Sequence, residues 1–92
     1  LLEIRDDALA VVGRVAVGPE PRGVALSKDG RFAFVTLGTA DEVARVDLEA
    51  RAVTGRLAVG REPRAVALSP DGSALLVANN RSRSVSVIDP AS

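Results

Sequence analysis

The chain has 92 residues, enough for one domain, but a chain of that size buries only a little over ~60 % of the surface its unfolded form exposes. Twelve basic residues balance twelve acidic ones, which removes the bulk electrostatic argument for nucleic acid or an anionic membrane as the partner. With no Cys, His or Met, the sequence can form no disulfide and offers none of the soft or imidazole ligands that zinc, copper and haem sites use.

The longest apolar stretches, such as residues 8–12 and 74–78, run about five residues, far below the ~20 that cross a bilayer, so no membrane span is expected. The absence of Met places Leu1 inside a longer reading frame, and the lack of a signal peptide therefore says nothing about compartment.

In chain order, residues 1–5 and 11–17 read as two strands, the second closing at Val-Gly-Pro-Glu-Pro. Residues 22–27 alternate, with Val24 and Leu26 on one face and small residues on the other, and end at Ser-Lys-Asp-Gly. That tetrapeptide encodes a hairpin: Ser opens the turn, Asp is tolerated at its third position, and Gly30 takes the positive φ of a bulged type I turn. The chain returns along 31–36, passes a polar loop at 37–42, forms a third strand at 43–47 and a fourth at 53–59. Then the pattern begins again, with strands at 64–69, 73–78 and 85–89 and the hairpin sequence Ser-Pro-Asp-Gly ending at Gly72.

The recurrence is quantitative. An offset of 42 aligns residues 1–50 with 43–92 without a gap, and 20 of the 50 pairs are identical. A period of 20 to 50 residues marks a solenoid, propeller or array. Four short antiparallel strands per unit make a small meander sheet with apolar residues on both faces, and stacked neighbours are what cover both. Radial stacking of four-stranded units describes a β-propeller, whereas an extended array leaves long edges open. The fold class expected is all-β. Residues 1–18 supply the third and fourth strands of one blade, 19–60 a complete blade, and 61–92 the first three strands of another, nine strands in all.

The line PRAVALSPDGSALLVANN followed by SVSVID resembles the YVTN-type β-propeller repeat. Pro63, Val66, Ser69, Pro70, Asp71, Gly72 and residues 76–79 and 85–89 carry the match. The first copy is more worn, with Lys28 in place of Pro, Leu37 in place of Asn and Arg45 in place of Val. The missing Trp and His exclude a WD40 signature, and no double glycine suggests a kelch repeat. The resemblance implies a bacterial protein exported to the periplasm, cell wall or surface. Lactonase-like propellers are more distant relatives.

Nine strands cannot close a ring of about four to eight blades, so the rest must come from other blades of a parent chain or from other copies of this one. Two whole repeats are 84 residues, and the surplus favours a segment of a larger ring; in isolation it is expected to associate. Catalytic residues and cofactors are not expected within it. Asp6–Asp7 and Asp41–Glu42 are the adjacent carboxylate pairs, both at strand ends and read as solvated loop, and no phosphate-binding glycine pattern occurs.

In such a ring, the loops at 19–22, 37–42, 61–64 and 79–84 line the face where each inner strand begins. Arg22, Arg64, Asn79, Asn80, Arg81 and Arg83 are the candidate surface for a protein, polysaccharide or small ligand. The competing expectation is that Arg22 and Arg64 pair with Glu20 and Glu62 and set the blade spacing. The functional reading is a non-catalytic binding scaffold; the alternative is part of a lactonase-like or copper-, haem- or quinone-dependent propeller enzyme whose catalytic residues lie outside these 92.

Overall fold

The computed structural model of the protein describes residues 10–90. Seven strands follow one another: β1 (Pro21–Leu26), β2 (Phe32–Leu37), β3 (Glu42–Asp47), β4 (Ala52–Ala58), β5 (Pro63–Leu68), β6 (Leu75–Asn79) and β7 (Ser84–Ile88). They form a four-stranded sheet in the order β1-β2-β3-β4 and a three-stranded sheet in the order β5-β6-β7, every pairing antiparallel. These seven are the strands expected from residue 22 onward, with ends moved by at most two residues.

The expected strand at residues 1–5 lies outside the described residues. The 11–17 segment forms no strand, because no described strand lies beside it to supply a ladder. Val11 and Val12 are 70 % and 77 % exposed, and Arg51 Nη1 donates to the Val12 carbonyl oxygen at 2.7 Å.

Each hairpin is built by its own side chains. Ser27 O accepts from Gly30 N at 2.9 Å, so Ser27 Oγ takes over the strand bond and accepts Phe32 N–H at 3.0 Å. Asp29 Oδ1 accepts the Ser27 hydroxyl at 2.6 Å and Arg31 N–H at 3.0 Å. The second hairpin repeats this, with Gly72 N to Ser69 O at 2.9 Å, Ala74 N to Ser69 Oγ at 3.0 Å and Asp71 Oδ1 accepting from Ser69 Oγ and Ser73 N. Gly30 and Gly72 have φ of 75° and 78°, the left-handed region that side chains resist.

The two sheets are stacked blades of one propeller wall. Cross-strand registry puts Ala25, Phe34 and Val43 on one face of the first sheet, and Val66, Leu68, Val77 and Leu75 on one face of the second. These faces meet in a core of Phe34, Val43, Leu75 and Val77, each at most 4 % exposed, edged by Val59 and Ile88. Neither blade owns this core, which is why a lone four-stranded sheet of this sequence would be unstable.

A single side chain bolts the inner strands together. Thr36 is fully buried; its Oγ1 accepts Gly23 N–H at 2.8 Å and donates to the Arg64 carbonyl oxygen of the next blade at 2.9 Å. Gly23 makes the approach possible, because a Cβ there would stand 2.5 Å from that same carbonyl oxygen.

Candidate inter-blade binding face

Both inner strands enter through a β-bulge. The register shifts between Pro21 and Val24 in β1 and between Pro63 and Ala65 in β5, so Arg22 and Arg64 stand at equivalent irregularities. A bulge bends the strand and re-aims its side chain. Here it turns each arginine back onto the glutamate two residues earlier. Arg22 Nη2 and Nε lie 2.7 and 3.2 Å from Glu20 Oε1, and Arg64 Nη2 and Nε lie 2.6 and 3.0 Å from Glu62 Oε1. Glu20 and Glu62 reach this geometry from left-handed backbone, at φ 53° and 52°. Hydrogen bonding from Arg22 holds the Glu20 carboxyl below its usual range, and Arg64 does the same for Glu62. Both pairs are solvent-accessible, so screening limits what they add to stability, and their effect is to fix where two guanidinium groups point.

The two units interlock at this face. Asp41, itself at φ 57°, accepts Glu62 N–H on Oδ1 at 2.8 Å and Val59 N–H on its carbonyl oxygen at 3.0 Å. Glu62 also meets Arg81, whose Nε is 3.5 Å from Oε2, and accepts a long bond of 3.4 Å from Asn80 Nδ2. Between the units lies a polar cleft of about 450 Å³, lined by Glu20, Arg22, Gly38, Thr39, Asp41, Arg61, Glu62 and Arg81.

Of the six residues expected at the binding face, Arg22 and Arg81 line this cleft. Arg64, Asn79, Asn80 and Arg83 line a neighbouring shallow depression of about 490 Å³, with Ser84 and Val85. Arg22 and Arg64 also border a third hollow running along the inner strands past Gly23 and Ala65. Asn79 stands apart from an open surface residue: it is the last residue of β6 and 2 % exposed. Its Nδ2 donates to Ser86 Oγ at 2.9 Å and Ser84 Oγ at 3.3 Å, and its buried Oδ1 has no partner among the described residues. Both arginine–glutamate pairs of the competing expectation are formed.

Sequence reasoning had marked the loops but not Arg61 and Thr39 within them. Arg61 occupies the repeat position held by Pro19 in the first unit, so a comparison of repeats for what changes, rather than for what recurs, points to it.

The remaining carboxylates have structural partners. Glu42 Oε1 lies 3.7 Å from Arg56 Nη1. Asp47 accepts Glu49 and Ala50 N–H on Oδ1 at 3.0 and 3.2 Å and Arg31 Nη2 on Oδ2 at 3.2 Å; the Ala50 amide, then Arg31, hold its carboxyl below the usual range. Asp6 and Asp7 lie outside the described residues. Among the described residues, no three acidic side chains gather as a metal site, and no helix is long and apolar enough to cross a membrane.

Two meander sheets sharing a core, joined through their inner strands and presenting the same loop face, define neighbouring blades of a β-propeller. The chain belongs to the lactonase, 7-bladed beta-propeller family, whose model matches residues 23–91. Among solved structures it is similar to Kuenenia stuttgartiensis hydrazine synthase, with a TM-score of 0.85 and 32 % identity over 89 % of this chain and 24 % of that one. A functionally unknown protein from Desulfotomaculum acetoxidans DSM 771 shares the fold, with a TM-score of 0.69 and 19 % identity over 95 % of this chain and 32 % of that one. The chain thus spans a quarter to a third of these structures. No curated protein matches the sequence.

Proposed function

We propose that the chain is a non-catalytic stretch of propeller wall that presents a binding face, with the polar cleft between its blades as the contact point. One observation carries the reading: the Glu-Pro-Arg bulge is built twice, at the same face, each time with two guanidinium nitrogens converging on one carboxylate oxygen. Arg22 and Arg81 on this cleft, with Arg61 beside them and in no ion pair among the described residues, favour a ligand bearing carboxylates or hydroxyls, such as an acidic oligosaccharide or an acidic protein segment. By resemblance to exported propellers, the proposal places it in the periplasm, cell wall or surface layer of a bacterium.

The test is an amide NMR titration of the chain with oligogalacturonate. The expected result is a set of shifts confined to Gly38, Thr39, Arg61 and Arg81 that Arg61→Ala removes; no shifts there, or shifts indifferent to Arg61→Ala, would refute the reading. A second reading draws on the family match: the chain is part of a propeller enzyme, lactonase-like or a copper-, haem- or quinone-dependent oxidoreductase, whose reacting groups lie in other blades. Hydrolysis of glucono-δ-lactone that scales with the concentration of this chain, and is lost in a cleft variant, would favour enzyme chemistry within the chain over both readings.

A further inference from the structure

The polar cleft between the blades holds three arginines and three carboxylates, Arg22, Arg61 and Arg81 against Glu20, Asp41 and Glu62. Most of these groups are committed to one another. Glu20 takes Arg22, while Glu62 takes Arg64 on Oε1 and faces Arg81 with Oε2. Two groups keep bonding capacity. The Arg61 guanidinium has no hydrogen bond or ion pair among the described residues, and Asp41 uses Oδ1 for Glu62 N–H but has no partner there for Oδ2.

The Arg61 side chain is not needed to build its loop. Only its main chain is tied down, the N–H donating to Ser82 Oγ at 3.1 Å and the carbonyl oxygen accepting Arg81 N–H at 3.2 Å. The first unit forms the same bulge and the same glutamate–arginine pair with Pro19 in that place. A fixed backbone therefore carries an exposed, uncommitted guanidinium on the wall of the cleft. The cleft volume of about 450 Å³ falls within the range of small-ligand sites, roughly 300–1,000 Å³.

We propose that this cleft takes a uronate, a sugar unit bearing one carboxylate among its hydroxyls, with the carboxylate on Arg61 and hydroxyls donating to Asp41 Oδ2. The inference rests on the cleft being the binding face and chooses between the two ligand classes which that reading leaves open. A guanidinium fork meets a carboxylate with two parallel N–H donors. The other walls select what surrounds that carboxylate. Hydrogen bonding from Arg22 and from Arg64 keeps Glu20 and Glu62 ionised, so both present acceptors only. With three arginines matched by three carboxylates, a polyanion gains no net attraction. A segment of successive Asp or Glu side chains would set its further carboxylates against Glu20, Asp41 and Glu62, and like charges repel. Sugar hydroxyls donate to the same oxygens. No aromatic ring lines the cleft, so a sugar is not gripped by its face, and a neutral one would lack the strong contact at Arg61.

The test is an amide NMR titration of the full chain with three probes: trigalacturonate, the same trimer with its carboxyls reduced to hydroxymethyl groups, and hexaglutamate. Trigalacturonate should bind more tightly than either of the others by about tenfold, as one charge-assisted contact provides. Arg61→Ala should bring it down to the level of the reduced trimer. Asp41→Asn keeps an oxygen for Glu62 N–H and turns the other acceptor into a donor, so it should weaken trigalacturonate by about tenfold and strengthen hexaglutamate. Glu62 and Val59 amide shifts, unchanged in the free variant, show that the loop is intact; should they move, the three probes on the unmodified chain still decide. Hexaglutamate or the reduced trimer bound as tightly as trigalacturonate overturns the uronate and leaves the binding face standing. So does an intact Asp41→Asn chain that fails to shift the two anions in opposite directions. Failure of all three probes to move the cleft amides overturns both.

Discussion

Replacing Thr36 by Val keeps the shape of the side chain and removes one oxygen. Hydrophobic bookkeeping alone predicts a neutral or stabilising change, because a hydroxyl gives way to a methyl in a site with no solvent exposure. The geometry predicts the opposite. The hydroxyl serves Gly23 N–H at 2.8 Å and the Arg64 carbonyl oxygen at 2.9 Å, and Val removes both bonds. At ~1 kcal/mol for each hydrogen bond lost, the loss is about 2 kcal/mol. Against a total of roughly 5–14 kcal/mol for a domain of this length, that is a substantial share. With m of about 1 kcal/mol/M, the urea midpoint falls by about 2 M.

Thr36→Ser is the control, because it keeps the oxygen and deletes the methyl, at a cost of about 1 kcal/mol. Urea denaturation followed by circular dichroism, at a concentration where each variant has the same mass by light scattering, gives the ranking. Hydrogen exchange adds a local reading, since Gly23 N–H should lose protection in the Val variant alone. Thr36→Val equal in stability to the unmodified chain, or Thr36→Ser the more damaging of the two, would refute the inter-blade bond as a source of stability.

Two further predictions follow from the packing and the turns. Gly23→Ala places a Cβ 2.5 Å from a backbone oxygen and must part the blades, whereas Gly30→Ala meets no atom within 4 Å and incurs only the strain of φ 75°. Denaturation should therefore show a loss of about 2–3 kcal/mol for the first and about 1 kcal/mol for the second, and the reverse order contradicts the packing. Asp71 has its carboxyl lowered to about 2 by the Ser73 amide, then the hydroxyls of Ser73 and Ser69. The unfolded value is higher, so this stabilisation is present above about pH 4 and is lost as pH falls towards 2. Melting temperatures measured between pH 5 and 2 should fall, and Asp71→Asn should flatten that slope; an unchanged slope removes Asp71 as its source.

Most of the fold was legible because the repeat states it twice. The hairpins were written in Ser-x-Asp-Gly, and the strands in period-two runs whose recurrence at 42 residues left no helical reading. Less legible was anything that depends on two units together. The Thr36 bond reaches Arg64, 28 residues on, and Thr36 looks like an ordinary strand residue until a second blade is set against it. The bulges at Arg22 and Arg64 carry no signature of their own, although the arginines they aim were identified. Asn79 shows the converse: a polar residue flanking a loop reads as surface, and only the packing of Ser84 and Ser86 around it turns it inward. The strand at 11–17 failed because a strand needs a neighbour as well as a pattern.

Asp41 and Arg83 occupy the same place in successive units, share nearly the same backbone conformation and carry opposite charges. The trace of that loop is therefore held independently of what it displays. Such a position works as a socket: charge can be rewritten there, unit by unit, without redrawing the backbone that carries it. A ring assembled from these units can have a face as varied as its blades are alike.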